Sequence, residues 1–238
     1  MATQVRLGDM SVDVVLKDIK NVHLSVHPPS GKVRISAPAR MKVDAIRLFA
    51  ISKLSWIKQQ QRKLRDQERE TPREFIDRES HYVWGKRYLL VTAEADRPAS
   101  IEVKHNRLLL QTRPGADEGT RHHVLENWYR AQVRSAAADL ITKWQPPIGV
   151  NVSTFYVQRM KTRWGSCNSQ ACTIRLNTDL ARKPRECLEY IVVHEMIHIL
   201  EPTHNERFQG YLNQLMPDWK HRREVLNRLP VRHEDWAY

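Results

Sequence analysis

The sequence predicts an α+β protein in which groups of short strands alternate with helices, and three observations lead to this prediction. Apolar and polar residues alternate in several short runs of the first half of the chain. Apolar residues recur at helical spacing in residues 44–64, 124–144 and 188–200. The chain has 238 residues, of which 41% are apolar, 8 are glycine and 12 are proline, so a folded core is expected and a collagen-like or disordered chain is excluded.

The N-terminal part is predicted to contain strands followed by one helix. Alternating runs at residues 12–16, 24–26 and 33–37 predict short antiparallel strands with a turn at residues 28–31. Asp44 precedes apolar residues at helical spacing and is predicted to cap a single helix that extends to Leu64. A charge-dense segment near residues 62–75 is interpreted as the exposed helix end and a linker.

A second group of strands is predicted at residues 82–91, 101–103 and 108–111. The long amphipathic pattern of residues 124–144 predicts a helix, which Pro146 and Pro147 are expected to end. We therefore predict a β-rich scaffold over residues 1–118 and a second domain over residues 119–238.

The second domain is predicted to continue with a strand, a structured loop and a returning strand. Residues 155–160 and 173–177 are β-rich, and the segment KTRWGSCNSQ separates them. Pro184 then occupies the expected first position of a helix that runs to residue 200 and is apolar on most sides. This helix is expected to be buried.

The charge balance favours anionic partners without naming one. Lys and Arg total 39 against 27 for Asp and Glu, which gives a formal net charge of +12. Such an excess attracts polyanions and acidic protein segments over long distances. Non-specific nucleic acid is therefore one predicted partner.

Three features favour a soluble cytoplasmic protein. No apolar run approaches the roughly 20 residues that a bilayer span needs. The first residues lack the apolar stretch of a secretory signal. Cys167, Cys172 and Cys187 form no CxxC pair, which is typical of a reducing compartment. We expect no membrane partner.

The segment HEMIH lies within the helix predicted to end at residue 200. His194 and His198 are four residues apart, so on a helix both imidazoles lie on one face and can bind a single ion. Glu195 lies one step round the helix, where its carboxylate can act on water beside that ion. Nitrogen ligands, an open position and a carboxylate base are the requirements of a zinc hydrolase. Zn²⁺ is therefore the expected cofactor.

A catalytic zinc needs a third protein ligand, and His204 is the predicted one. Pro202 is expected to end the HEMIH helix. Thr203 and Glu206 have the spacing of a capping box, which predicts a new helix starting at His204. From that position the His204 side chain would project back across the preceding helix.

Three carboxylates remain open as alternatives to His204. Glu224 is predicted to lie on a later helix, and carboxylates serve as third ligands in some HExxH enzymes. Glu201 and Glu206 are closer to the HEMIH helix in sequence. The remaining histidines have no ligand spacing and are expected to be structural or exposed: His23, His27, His81, His105, His122, His123, His221 and His233.

Four motifs occur in a fixed order: RMKTRWGSC at residues 159–167, IRLNTDL at 174–180, YIVVHEMIH at 190–198 and THNERF at 203–208. With these motifs the chain resembles the YgjP-like metallopeptidase family, a relative of the SprT-like proteases. The resemblance implies a zincin-like catalytic unit with an HExxH helix and an antiparallel sheet. It also implies a zinc ion held by His194, His198 and His204, with Glu195 as the catalytic base.

The loop that contains Arg163, Trp164 and Gly165 is predicted to contribute to substrate binding. In zincins an extended peptide pairs with the strand beside the active helix, and residues 173–177 or 155–160 could supply that edge. Arg163 and Trp164 are then expected to line the cleft, while Gly165 allows close approach of the backbone. The alternative is that Trp164 only packs the loop on the helix.

Two functions follow from these observations. The first is a zinc-dependent metallopeptidase that hydrolyses peptide bonds in a protein or peptide substrate. Its oxyanion donor stays open between Arg207 and Tyr211, and Tyr211 also fits an apolar helix face. The second is a nucleic-acid-associated module, such as a protease that acts on DNA-bound proteins, whose basic surface binds DNA. Structural zinc sites usually have four protein ligands, which favours the first function.

Overall fold

The computed structural model describes residues 2–8, 10–27, 31–66 and 74–230. The predicted α+β composition is confirmed, because sheets and helices both contribute to the fold. Contacts divide the chain into two compact units, residues 1–71 with 230–238 and residues 72–229. The predicted boundary between residues 118 and 119 falls inside the second unit. The central part of the predicted linker, residues 67–73, lies outside the described residues.

The first unit contains one four-stranded sheet, formed by β1 (Ala2–Leu7), β2 (Met10–Lys17), β3 (His23–His27) and β4 (Lys32–Pro38). The strand order is β1-β2-β4-β3. β1 and β2 are antiparallel, as are β3 and β4, but β2 and β4 run parallel. The expectation of purely antiparallel strands is therefore wrong, since apolar alternation reveals a half-buried strand but not the direction of its neighbour.

Two helices, not one, follow this sheet: α1 (Val43–Ser52) and α2 (Leu54–Asp66). Lys53 separates them, and its backbone N–H donates to the Ala50 carbonyl at 3.1 Å. Asp44 lies in the first turn of α1, whereas Lys42 occupies the N-cap without a side-chain hydrogen bond. The predicted Asp44 cap is therefore displaced by two residues. The buried core of this unit consists of Val5, Val12, Val14, Val33, Ile35, Ala37, Ile46, Ala50 and Ile57.

The second unit begins with a sheet of the same strand order, formed by β5 (Ser80–Val83), β6 (Lys86–Glu94), β7 (Ser100–Lys104) and β8 (Arg107–Thr112). Its order is β5-β6-β8-β7, and β6 and β8 are parallel. The predicted strand over residues 82–91 is in fact a hairpin. Trp84 and Gly85 form its turn with φ of 50° and 78°. Two-residue hairpin turns favour residues with positive φ, such as glycine and asparagine. Tryptophan is unusual in that position, so the sequence at Trp84 did not predict a turn.

Helix α3 (Glu118–Ile148) is longer than predicted. The Asp117 side chain caps it by accepting a hydrogen bond from the Thr120 backbone N–H at 2.7 Å. Pro146 and Pro147 lie inside its last turn and do not end it. The helix ends at Gly149, whose left-handed conformation (φ 76°) suits glycine and directs its N–H to the Gln145 carbonyl.

A three-stranded sheet follows, formed by β9 (Thr154–Gln158), β10 (Gly165–Asn168) and β11 (Thr173–Asn177) in the order β10-β11-β9. β10 and β11 are antiparallel, whereas β11 and β9 are parallel. Part of the predicted loop is therefore strand β10. Residues 173–177 form the central strand, so they cannot be the sheet edge that was expected to receive a peptide.

Three helices complete the described chain: α4 (Arg185–Leu200), α5 (Glu206–Leu215) and α6 (Trp219–Arg228). A 3₁₀ turn at Thr178–Arg182 leads into α4, and Pro184 is its N-cap rather than its first helical residue. Helix α4 is buried on most sides, as predicted; its buried residues are Cys187, Leu188, Tyr190, Ile191, Val192, Val193, Glu195, Met196 and Ile197. None of the described helices combines the length and apolar character needed to span a membrane.

Candidate metal centre

Three histidine side chains converge at the end of helix α4. His194 and His198 lie on α4 with ring centroids 4.9 Å apart. His204 lies between α4 and α5, and its Nε2 atom is 3.0 Å from His194 Nε2 and 3.1 Å from His198 Nε2. The three side chains therefore offer one nitrogen each to a common point and could hold a metal ion.

The donor set fits a single metal ion. Around a tetrahedral zinc with Zn–N distances of about 2.0–2.1 Å, neighbouring ligand nitrogens are about 3.3 Å apart, close to the separations measured from His204 Nε2. Burial, together with the charges of His198 and His204, lowers the pKa of His194 to about 3. The pKa of His204 is also lowered, by burial and by His198. Neutral imidazole is the form that binds metals.

The end of helix α4 orients His198. The Nδ1–H group of His198 donates to the Glu201 carbonyl at 3.0 Å, because a carbonyl oxygen can only accept. This bond leaves the Nε2 lone pair directed towards His204. Hydrogen bonds to the far ring nitrogen commonly fix the tautomer of a metal-binding histidine in this way.

The connection between α4 and α5 positions His204. Glu201 is the C-cap of α4, and Pro202 follows it. The predicted capping box is wrong: the cap of α5 is Asn205, whose side chain accepts a hydrogen bond from Phe208 N at 3.0 Å. The Thr203 hydroxyl instead donates to Glu201 Oε1 at 2.9 Å. His204 therefore lies in the connecting segment, before the helix that was expected to carry it.

Phe208 packs against all three imidazoles. Its ring centroid is 4.9 Å from that of His194, 4.6 Å from His198 and 4.8 Å from His204. The side chain is buried and forms part of the core of the second unit. The sequence marked Phe208 only as an apolar helix position, since nothing in its spacing reveals contact with the histidines.

Glu195 is buried beside the histidines, with 6% of its surface exposed. Burial raises the pKa of its carboxyl to about 8, although the positive charge of Arg163 opposes this change. A carboxylate with a raised pKa is a stronger base than an exposed one.

Gly165 on β10 lies directly against this carboxylate. A Cβ atom at position 165 would be 2.6 Å from Glu195 Oε1, which is closer than any non-bonded contact allows. The neighbour at Gly165 is therefore the side chain of Glu195, and the expected approach of a substrate backbone stays a prediction.

The other two residues expected in the cleft differ in exposure. Arg163 is exposed and acts on Glu195 through its charge. Trp164 is half-buried, and the Lys183 Nζ atom lies 5.8 Å from the centroid of its ring.

Asn177 shapes the preceding loop, because its Nδ2 group donates to the carbonyls of Met160 and Arg163 at 2.8 and 2.9 Å. The sequence did not single out Asn177, which lay inside a predicted strand.

An aromatic pair supports His194 from the other side. The ring of Tyr190 meets that of His194 edge-on at 5.7 Å and stacks on Trp219 at 6.5 Å. The guanidinium of Arg223 lies 5.2 Å from the Trp219 ring centroid. Neither aromatic residue was predicted to be near the site.

The carboxylates considered as alternative ligands have other partners or positions. Glu224 Oε1 accepts a hydrogen bond from Arg228 at 2.9 Å, and Glu201 accepts from Thr203. Glu206 is exposed in the first turn of α5. Within the described chain, the group of convergent metal-ligand atoms consists of the three histidines.

Arg207 donates to the Tyr211 hydroxyl at 3.3 Å, which pairs the two residues considered as oxyanion donors.

Comparison with known proteins gives a family and several structural neighbours. Abylysin from Pyrococcus abyssi, solved as a metallopeptidase zymogen, is 18% identical and aligns with 41% of this chain and 99% of its own, with a TM-score of 0.36. Jannalysin from Methanocaldococcus jannaschii, also a metallopeptidase zymogen, is 23% identical over 38% of this chain and 92% of its own, with a TM-score of 0.34. No curated protein matches the chain significantly. Residues 20–229 match the family described as YgjP-like, metallopeptidase domain, so the chain belongs to the YgjP-like metallopeptidase family.

Proposed function

We propose that this protein is a zinc-dependent metallopeptidase in which His194, His198 and His204 hold the zinc ion and Glu195 is the general base. The observation that carries the proposal is the convergence of three imidazole nitrogens beside one buried carboxylate. Membership of a metallopeptidase family supports peptide-bond hydrolysis as the reaction.

The choice of zinc rests on the chemistry of the donors. Three imidazole nitrogens without a thiolate suit zinc and are the ligand set of several catalytic zinc sites. Structural zinc sites are closed by four protein ligands, whereas the described residues here supply three. The remaining position is therefore available for water or substrate.

The protein residues have separate parts in the reaction. A zinc ion in this position supplies a Lewis acid that lowers the pKa of water and polarises a carbonyl. The Glu195 carboxylate takes the proton from the attacking water and then delivers it to the nitrogen of the leaving amine. Gly165 leaves room for this carboxylate, and the buried surroundings keep it basic.

The test compares metal content and hydrolysis in two variants of the same helix. Glu195→Gln is expected to retain the metal and to lose peptide hydrolysis by a factor of about 10²–10⁴, because positioned proton transfer is removed. Glu186→Gln is the matched control, since Glu186 is exposed in the first turn of α4.

Elemental analysis of the purified full-length variants and peptide cleavage followed by mass spectrometry provide the two measurements. An unchanged cleavage rate in Glu195→Gln would reject its role as the base. Full metal occupancy in His194→Ala would reject the ligand assignment.

A further inference from the structure

Strand β1 forms one edge of the sheet in the first unit. β2 pairs with it on one side through residues 2–7 and 10–15. Among the described residues no other strand and no further backbone group bonds to β1. An edge strand with unpaired N–H and C=O groups is a template for pairing with another extended chain.

The second unit shows what happens at the equivalent edge. β5 holds the same place in its sheet as β1, because both sheets have the same strand order and the same strand directions. The β5 hairpin bonds to other parts of the chain: Trp84 N donates to the Ala181 carbonyl at 2.7 Å, and the Tyr129 hydroxyl donates to the Tyr82 carbonyl at 2.9 Å. The edge that is covered within the second unit is therefore uncovered in the described part of the first.

A groove of about 860 Å³ lies beside β1 and extends along α1 and α2. Arg6, Arg47 and Lys58 give its lining three positive charges, and none of the described lining residues is acidic. These three cations form no ion pair with any described residue. The groove therefore has positive charge available for a partner.

The same groove is partly apolar. Leu7, Ile51 and Leu54 contribute to its lining, and 50% of the Ile51 surface is exposed. Apolar side chains beside unpaired strand groups are features of surfaces that bind extended peptides by strand addition.

We propose that this groove binds an extended protein segment rich in alternating acidic and apolar residues, which adds to the sheet along the edge of β1 that no described strand covers. The main chain of the segment pairs with β1, its carboxylates face Arg6, Arg47 and Lys58, and its apolar side chains contact Leu7, Ile51 and Leu54. The site shares no residue with the metal centre and does not depend on the proposed peptidase activity.

The lining favours a peptide over a nucleic acid. None of the described lining residues is aromatic, so they offer no platform for stacking bases. Phosphate groups would use the cations but neither the apolar side chains nor the strand edge. An acidic peptide uses all three features.

The experiment titrates the full-length protein into a short fluorescein-labelled peptide of alternating Glu and Val and measures anisotropy. Arg47→Glu combined with Lys58→Glu is expected to weaken binding at least about tenfold, because two attractions become repulsions. Lys20→Glu combined with Arg40→Glu is the matched control: both residues are exposed, belong to the same unit and lie outside the groove lining, so less than about twofold change is expected. Circular dichroism checks that both double variants fold.

Two further probes separate strand addition from simple charge attraction. A peptide of the same sequence with alternate amide nitrogens methylated keeps its side chains but loses main-chain donors, and it is expected to bind at least about tenfold more weakly. Single-stranded DNA is the competing polyanion. Mass spectrometry shows whether the peptide stays intact during the titration.

Tight binding that both the groove variant and backbone methylation weaken supports the proposal. Absence of peptide binding overturns it, as does equal binding of the methylated peptide. Displacement of the peptide by DNA at matched charge concentration and physiological salt, where general attraction to DNA is weak, overturns it in favour of a nucleic-acid groove.

Discussion

At the scale of single residues, the candidate centre depends on a glycine as much as on its charged groups. Glu195 lies under strand β10, and Gly165 is the residue of that strand whose missing side chain leaves space for the carboxylate. The φ of Gly165 is not positive, so its backbone conformation does not require glycine. Glycine is required here because any side chain would collide with the Glu195 carboxylate. Position 165 therefore controls where the proposed base can lie.

The first prediction concerns this contact. Gly165→Ala would place a methyl group 2.6 Å from Glu195 Oε1, so the carboxylate must move. We expect peptide hydrolysis to fall by about 10²-fold, as displacements of roughly 1 Å can cost. Metal content should not change, because the convergent ligand atoms belong to the three histidines and Gly165 supplies none of them.

Gly210→Ala provides the control for that prediction. Gly210 lies within α5, and apart from the backbone of its own helix and its chain neighbours no described atom is within 4 Å of a Cβ atom placed there. We expect this variant to be active and about 0.5–1 kcal/mol more stable, since alanine favours helix. Equal activities of the two alanine variants would show that the contact at position 165 has no functional effect.

At the scale of elements, short connections and helix pairs place the functional groups. The segment between α4 and α5 is short, and the Asn205 cap fixes where α5 begins. His204 directly precedes this cap, so the start of the helix and the position of the imidazole are linked.

The second prediction tests this link. Asn205→Ala removes the hydrogen bond to Phe208 N and should cost about 1 kcal/mol of unfolding free energy. It should also weaken metal binding, because His204 is no longer held at the start of a fixed helix. Asp117→Ala removes the equivalent cap of α3, so we expect a similar loss of stability without an effect on metal affinity.

Chemical denaturation and titration with zinc against a chelator measure the two effects in the Asn205 and Asp117 variants. Equal metal affinities in both variants would contradict the proposed coupling between the cap and His204.

Glu189 joins three helices of the second unit. Its carboxylate accepts hydrogen bonds from Lys143 and Trp144 on α3 and from Arg222 on α6, at 2.7, 3.0 and 2.6 Å. Burial alone raises the pKa of Glu189, but the hydrogen bonds from Lys143, Arg222 and Trp144 outweigh it and lower the pKa to about 2. The folded state therefore favours the ionised carboxylate.

The third prediction follows from the sign of this pKa change. A depressed pKa contributes stability above the unfolded-state value of about 4.3, and this stability is lost as the pH falls towards about 2. Glu189→Gln should lower the unfolding free energy by about 1–3 kcal/mol near neutral pH. The difference from the wild type should shrink on acidification. Urea denaturation at several pH values measures it, and a constant difference would contradict the assigned pKa change.

At the scale of the whole molecule, the sequence predicted the elements better than their arrangement. The spacing of His194 and His198 fixes their common face on any helix, so their convergence required no tertiary information. The approach of β10 to Glu195 and the packing of Phe208 on the imidazoles depend on which surfaces meet, and local pattern contains no such information. Strand β1 was missed for a related reason, because only Val5 and Leu7 show alternation there.

The repeated strand order of the two units was also beyond sequence analysis. β2 and β4 pair in parallel, as do β6 and β8, yet the sequences of the two sheets show no apparent repeat. Strand direction and order depend on connections and packing, and many sequences satisfy the same alternation. This shared topology is what allows the covered edge of β5 to be compared with the uncovered edge of β1.

The last prediction concerns the net charge of +12, a property of the chain as a whole. We expect weak binding to duplex DNA at low salt with little sequence preference, because dispersed Lys and Arg can contact phosphates while no base-reading motif was recognised. Binding should fall linearly in a plot of log affinity against log salt concentration, since each phosphate contact releases condensed counterions. Anisotropy titrations of two labelled duplexes of unrelated sequence, from low to physiological salt, measure both properties. A strong preference for one duplex, or an affinity that does not change with salt, would indicate a specific DNA site and not a general electrostatic attraction. If no binding is measured even at low salt, the positive surface serves only to keep the protein soluble.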